Sequence, residues 1–455
     1  MLRSIWLLIV YVGFLGLGSA SPFIFALGYI WVDTFRPQEV AYLILNQLPV
    51  ALIMGAAAVG SYLVFDRRDP PRITLSGMTP ALMAVWSTLT LFWAVAPDWA
   101  WVKWDWAFKS LVFCAFLPYV IRSRVQIEAM AQVYLFALAG NIIPFGIKTL
   151  ISGGGYGANL GLSSGNAGLA EGGQLSTFCL MAVPIAYYLS KHNRLLPQTP
   201  LTPFAYYGII ILAIVTALGT FERSALLGLG VLAIYMFIRS RQKVLFGIIL
   251  AIGTAVLIYT SSDSFSKRMN TIGTYQSDNS AMVRILVWRW TFDFALSHPL
   301  GGGFNSFFIN VIDLPGSPEE PGGHQERGRA FHSSYFEVLG EQGWPGLAIF
   351  FAATGLTILQ LRRLSKRVRN IPHLVWCADL SDALQSGILV FLSAGAFVGI
   401  AFQPIVWYFV ALSVSVREYV RRANEQAAPK VLPGWRGAAQ ANRGLAASPV
   451  RGRPV

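Results

Sequence analysis

The sequence predicts an all-α polytopic membrane bundle of about twelve transmembrane helices, with one large loop on the side away from the cytoplasm. Three observations predict it. Of the 455 residues, 55% are hydrophobic and 13% charged, which excludes a soluble globular chain. The apolar residues fall in blocks long enough to cross a hydrocarbon core. Inside lipid every backbone N–H and C=O has to be satisfied within its own segment, so these blocks are helices and not isolated strands.

The spans run, in order, over residues 4–32 (broken at Ser21-Pro22), 41–65, 78–96, 107–121, 127–150, 173–190, 204–221, 224–238, 244–260, 335–361, 384–400 and 404–416. The broken first span reads as one crossing or as a hairpin of two short helices. Apolar sequence resumes after it without a small-residue processing site, so it is not read as a cleaved signal peptide. The chain then divides into 1–260, ten helices when the two halves of the broken first span are counted separately; 261–334, a loop domain with short helices; 335–416, the C-terminal helices; and 417–455, a basic disordered tail.

Short loops on the cytoplasmic side carry an excess of Lys and Arg. The basic clusters at Arg67-Arg68-Arg72, Arg122-Arg124, Lys191-Arg194, Arg239-Arg241-Lys243 and Arg362 to Arg369 all fall on one side if the spans alternate. The other side then holds 33–40, 97–106, 151–172, the corner 221–223, the loop 261–334 and the turn 401–403. Inner loops beside anionic lipid account for most of the net charge of +13, and nucleic acid need not be invoked. The Ala/Gly/Pro/Arg-rich stretch after about residue 424 has too few apolar residues to fold alone. Cys114, Cys179 and Cys377 share no metal-ligand spacing and read as small hydrophobes.

Charges retained beside apolar spans are costly, at least about 2.5–3.5 kcal/mol at a helix centre, and are therefore the functional candidates. Glu222-Arg223 is the clearest, at a corner where two spans meet with almost no loop. On position alone Arg223 is equally a residue that snorkels to the interface or pairs with an acid. The loop 261–334 is the one connection long enough to form a small domain. It contains Lys267-Arg268, then Asp278-Asn279-Ser280 as a helix start, Ser280 serving as cap, and an aromatic helix lying in the interface. Arg289 is expected to pair with Asp293, one helical turn on. Arg284 has no such partner and is the better anion ligand.

The run Ser297-His298-Pro299-Leu300-Gly301-Gly302-Gly303-Phe304 reads as a helix stop and turn, with His298 as a local cap. It lacks the following Lys-Ser/Thr and the preceding strand of a phosphate-binding loop. Ser334 and Glu337 have capping-box spacing, which puts His332 just outside the N-terminus of the next span. The positive end of that helix disfavours imidazolium and so suits a general base. A lone histidine at a helix end is more often structural.

Four stretches carry a likeness to a known group: Pro22-Phe23 to Arg36-Pro37 with Ala100 to Asp105; Ser152 to Gly157; Glu222 to Gly228; and Arg268-Met-Asn-Thr-Ile through His332-Ser-Ser-Tyr-Phe-Glu to Leu347. On these the chain resembles the O-antigen ligase and polymerase superfamily, and within it the O-glycosylation ligases found beside exosortase systems. The resemblance implies a GT-C-like glycosyltransferase of the bacterial inner membrane. Such an enzyme moves a glycan from undecaprenyl pyrophosphate to an acceptor hydroxyl at the periplasmic face, with no metal or nucleotide cofactor. The acceptor is a protein, a lipid or another glycan. The resemblance assigns Arg223 and Arg284 to the pyrophosphate and His332 to acceptor activation. Where similar proteins have an acidic-Asn-Asn-Glu stretch, this chain reads Ala170-Glu171-Gly172-Gly173-Gln174, so Glu171 and Gln174, with Glu222, are carried as pocket residues.

A transporter or flippase for the same lipid-linked glycans is the rival of a different class. The absence of an inverted repeat and the gathering of polar residues on one face argue against it.

Overall fold

The computed structural model describes residues 2–41, 44–154, 171–239, 247, 279–314 and 323–427. Within these the chain is a helical bundle. The helices are α1 (Leu2–Gly18), α2 (Pro22–Phe35), α3 (Pro37–Val40), α4 (Ile44–Gln47), α5 (Val50–Phe65), α6 (Leu75–Leu89), α7 (Pro97–Val120) and α8 (Arg124–Ser152). They continue as α9 (Gly172–His192), α10 (Leu201–Gly219), α11 (Arg223–Arg239), α12 (Asn279–Ser297), α13 (Ser334–Val368), α14 (Val375–Ala394) and α15 (Pro404–Ala427). A two-stranded antiparallel ribbon, β1 (Val311–Leu314) with β2 (His324–Arg327), pairs Val311 with Arg327 and adds a small β element to the expected all-α loop.

Five helical stretches among the described residues are long and apolar enough to cross a membrane: Leu75–Trp93, Arg124–Ser152, Leu201–Gly219, Ser334–Val368 and Pro372–Ala394. Their outward faces are apolar, with Phe92 84%, Ile151 82% and Leu201 77% exposed, the arrangement a lipid solvent requires. The break expected at Ser21-Pro22 is present between α1 and α2. The expected span 41–65 is divided at Leu48-Pro49, and the span 384–400 ends at Ala394 and gives way to a turned segment. The span 244–260, Lys267-Arg268, Asp278, the later part of the Gly-rich run from residue 155 and the tail after 427 lie outside the described residues.

Two helices organise the bundle. α9 packs on α8, α10, α11 and α14, while α13 packs on α6, α12, α14 and α15. Small residues and internal polar pairs hold the interior together, as membrane helices require in the absence of a hydrophobic drive between them. Asp33 accepts from the Tyr408 hydroxyl, and Gln132 Nε2 donates to Tyr206 Oη at 2.6 Å. Cys114, Cys179 and Cys377 are buried and free, as small hydrophobes are.

The two ends differ in charge. One gathers the basic clusters: Arg72 pairs with Glu425, Arg369 with Asp379 and Asp382, and Arg239 with Asp382. The other gathers 97–106, the start of α9, the segment after α12 and the turn before α15. α13 spans the difference, with His332 just before its first residue and Arg369 just after its last.

Candidate active site

A cavity of about 290 Å³ opens at the end away from the basic clusters. Its walls come from the first turns of α7 (Trp99, Lys103), the start of α9 (Glu171, Gln174), the segment after α12 (Asn305, Phe308), the approach to α13 (His332) and the turn at 399–403. Every one of these segments belongs to the side that the Lys/Arg bias assigned away from the cytoplasm.

The floor is set by a break in α13. Gly343 adopts φ 65°, and Pro345 has no N–H, so the carbonyls of Gly340 and Glu341 lose their helical donors. The glycine turn replaces them: Gly302 N–H donates to Gly340 O and Gly303 N–H to Glu341 O, each at 2.9 Å. Trp344 N–H donates back to Pro299 O at 3.0 Å, and Trp86 Nε1 to Gln342 O at 2.8 Å. The two backbones lie so close that a Cβ on Gly301 would stand 2.4 Å from Gly343 N, and one on Gly343 would stand 2.3 Å from Pro299 O. The triple glycine is therefore turn chemistry, as its sequence reads, and its second use is to clamp the loop onto the broken helix.

α12 packs along α13 as well as presenting Ile285, Phe292 and Leu296 outward. Trp288 stacks on Phe336 at 5.2 Å and donates to Phe331 O at 2.8 Å, which fixes the peptide just before His332. His298 Nδ1 lies within hydrogen-bond distance of the Ser297 hydroxyl at 2.9 Å and its ring stacks on Phe294, a local role. Two expectations are corrected. Among the described residues no ion pair joins Arg289 to Asp293. The helix cap is Ser333, without a side-chain cap bond, so Ser334 and Glu337 form no capping box. The Ser334 hydroxyl donates instead to Val398 O at 2.8 Å and accepts from Ile400 N, because the 395–403 turn packs against it and competes for the oxygen.

His332 has φ 46°, a left-handed conformation that costs a non-glycine residue about 1–3 kcal/mol and recurs where function constrains the backbone. It turns the imidazole into the cavity, half-buried, with no hydrogen-bond partner among the described residues. Burial holds His332 below the ordinary histidine value; Glu171 pulls it upward, while Arg284 and Arg329 add to the lowering. Arg284 is half-buried and makes no hydrogen bond or ion pair among the described residues. Arg329 is committed to the Glu326 carboxylate.

Arg223 opens α11 and stands off from the cavity wall with Glu222. Its neighbour Ser224 lies beside Gly173 of α9, where an added Cβ would come within 3.6 Å of the Ser224 hydroxyl. Arg223 thus lies at the same end, one helix removed from the imidazole. Glu171 and Gln174 both line the cavity, and Gln174 Nε2 donates to Glu171 Oε2 at 3.0 Å.

A buried ion cluster in the same wall was not foreseen. Lys103 Nζ donates to Glu337 Oε1 at 2.6 Å and to both oxygens of Glu341 at 2.8 and 2.9 Å. Glu337 also accepts from Ala401 N–H at 3.0 Å and Glu341 from Asn305 N–H at 2.9 Å. The signal present in the sequence is the four-residue spacing of the two acids at the start of an apolar helix, together with one lysine in the Trp-rich stretch 99–106.

Residues 208–351 match the family model described as O-antigen ligase. Through that region the chain is similar to the O-antigen ligase superfamily. That region of the ligase-like chain carries Arg223, Arg284, His332, Glu337 and Glu341. Residues 2–194 match a family of unknown function, DUF5935, and supply Lys103, Glu171 and Gln174, so the cavity is built from both regions. No curated protein matches the chain. That match, with the apolar helices, supports a membrane glycan-modifying enzyme of the ligase or polymerase kind.

Proposed function

We propose that the chain transfers a glycan from undecaprenyl pyrophosphate to an acceptor hydroxyl at the periplasmic face of the bacterial inner membrane. The observation that carries this reading is a neutral-biased imidazole in a cavity with, near it, a guanidinium that has no partner among the described residues: His332 with Arg284. His332 takes the proton of the acceptor hydroxyl as its oxygen attacks the anomeric carbon. The bond from that carbon to the phosphate oxygen breaks, and the lipid pyrophosphate departs with the electron pair. Pyrophosphate is already a good leaving group, so the protein's main tasks are to hold its charge and to supply the base. Arg284 and Arg223 hold the charge, and the fork of a guanidinium grips phosphate oxygens in pairs where a lysine presents a single point. Glu171 stabilises the imidazolium that forms and Gln174 lines the pocket with it, while Glu222 stands beside Arg223 outside the cavity wall.

Cells carrying Arg284→Ala or Arg223→Ala accumulate lipid-linked glycan and leave the acceptor unmodified on this reading. A second reading, a polymerase joining repeat units on the carrier, fits the same superfamily. It predicts uniformly short glycans on an acceptor that is still decorated. Normal glycan delivery by a stably produced His332→Ala protein would favour transport and remove the base from the account.

A further inference from the structure

The Lys103 cluster is unused by the reaction just described. Its charges do not balance, two carboxylates facing one ammonium, and its members are nearly closed to solvent: the side chains of Lys103, Glu337 and Glu341 are 12%, 9% and 0% exposed. Breaking such a set strands an uncompensated charge, which makes it costly to alter piecemeal. The three N–H bonds of Lys103 are matched by three carboxylate oxygens, so the ammonium has no donor left for a ligand. The set therefore either carries a net negative charge or holds a proton between its acids. In the first state it repels an incoming anion, and in the second it has no cation to offer one.

The rest of the wall has a complementary character. Gln174 Nε2 is committed to Glu171, and Gln174 Oε1 is buried with no donor among the described residues. That oxygen can accept a hydroxyl hydrogen and cannot be satisfied by a carboxylate. Trp99 and Phe308, whose ring centroids lie 4.7 Å apart, both line the same space, with Phe307 beside them. Arg223 and Arg284 do not line it. At about 290 Å³ the cavity sits at the lower edge of the ~300–1,000 Å³ usual for small-molecule sites, in keeping with a single ring rather than a chain.

We propose that this cavity is a subsite for an uncharged, hydroxyl-bearing pyranose, and that the Lys103–Glu337–Glu341 triad is a positioning unit that closes it to anionic sugars. In one respect this rests on the reaction above: the ring held there is the acceptor whose hydroxyl faces His332. The triad ties together four walls of the subsite, because α7 brings Lys103, α13 the two acids, the segment after α12 the Asn305 N–H, and the turn before α15 the Ala401 N–H.

The test is ligand-observed saturation-transfer NMR on the purified full chain in detergent, titrating methyl β-glucoside and methyl β-glucuronide, which share a ring and differ in the C6 carboxylate. The glucoside is expected to bind more tightly than the glucuronide by tenfold or more, the scale of one extra charge a few ångströms away in a screened interior. In Glu341→Gln that ratio falls toward unity. Lys103→Met weakens the glucoside, and the charge-balanced double variant Lys103→Met/Glu341→Gln recovers it, a rescue that a purely structural role would not give. Equal binding of the two glycosides, an unchanged ratio in a folded Glu341→Gln protein, or saturation transfer to neither glycoside in the unaltered chain each overturns the proposal. Because binding is read without turnover, failure here is distinguishable from failure of the transfer reaction.

Discussion

The two ends of α9 hold the protein's most informative contrast. At its C-terminal end His192 Nε2 meets Asp379 at 2.7 Å, in a network that runs on through Arg369 to Asp382 and Ser365. Every polar group named there has a partner. At its N-terminal end Glu171 and Gln174 face a cavity into which His332 projects with no hydrogen-bond partner among the described residues, Arg284 near it is likewise without one, and His332 itself sits in a left-handed conformation. A membrane bundle needs satisfied networks to hold its helices, so a satisfied histidine is structural. Groups left unsatisfied at a strained position are the ones held ready for a ligand. Histidine content alone does not separate these cases; the partners do.

Substitution at each end sharpens the contrast. His332→Ala is expected to lower transfer by about 10²–10⁴, the usual worth of a positioned base, with the protein still folded in detergent. His192→Ala is expected to leave transfer near its normal rate and lower the thermal unfolding midpoint. The reverse pattern would break the comparison. Arg284→Ala is expected to cost about 10²–10³ in transfer by loss of charge stabilisation, read as carrier-linked glycan accumulating, and Arg284→Lys to recover part of it.

Gly343→Ala drives a methyl group against Pro299 O at a position with φ 65°, so a loss of about 1–3 kcal/mol in stability is expected. A few-fold drop in transfer should accompany it as the glycine turn lifts off the broken helix. Unfolding curves and turnover measured together check this.

The smallest expected effect is on pH. Because His332 is held below its unfolded value, the base form is present at pH 7 and persists somewhat below about 6.5, and both transfer and the folded state's preference for neutral imidazole decline as pH falls further. Glu171 opposes that lowering, so Glu171→Gln should move the acid limb of the rate profile to still lower pH with little change in the plateau. A limb that moves upward would contradict the assignment of Glu171.

Much of this was legible in the residues. The helical character of the long apolar blocks was legible because lipid leaves backbone hydrogen bonding few solutions, and five of them are long and apolar enough to cross a membrane. The Ser21-Pro22 break follows from proline chemistry over a few residues, whereas His332 stands ahead of its helix without the capping box that was to place it there, and Ser280, expected as a cap, lies inside the helix Asn279–Ser297. The rest needed contacts distant in the chain. Ser334 has capping-box spacing with Glu337, yet the Val398–Ile400 backbone takes its hydroxyl, and nothing near residue 334 announces that. Lys103 meets its acids more than 230 residues away. The glycine turn looked self-contained until Pro345 left a carbonyl that only Gly303 fills.

The most direct measurement is reconstitution of the purified chain, alone in liposomes, with a labelled glycan on undecaprenyl pyrophosphate and a hydroxyl-bearing acceptor. The account predicts that label moves covalently to the acceptor with release of the lipid pyrophosphate, and that the His332→Ala chain leaves it on the carrier. Label that stays on the carrier with the unaltered chain, or that crosses the bilayer still attached to its lipid, would contradict it.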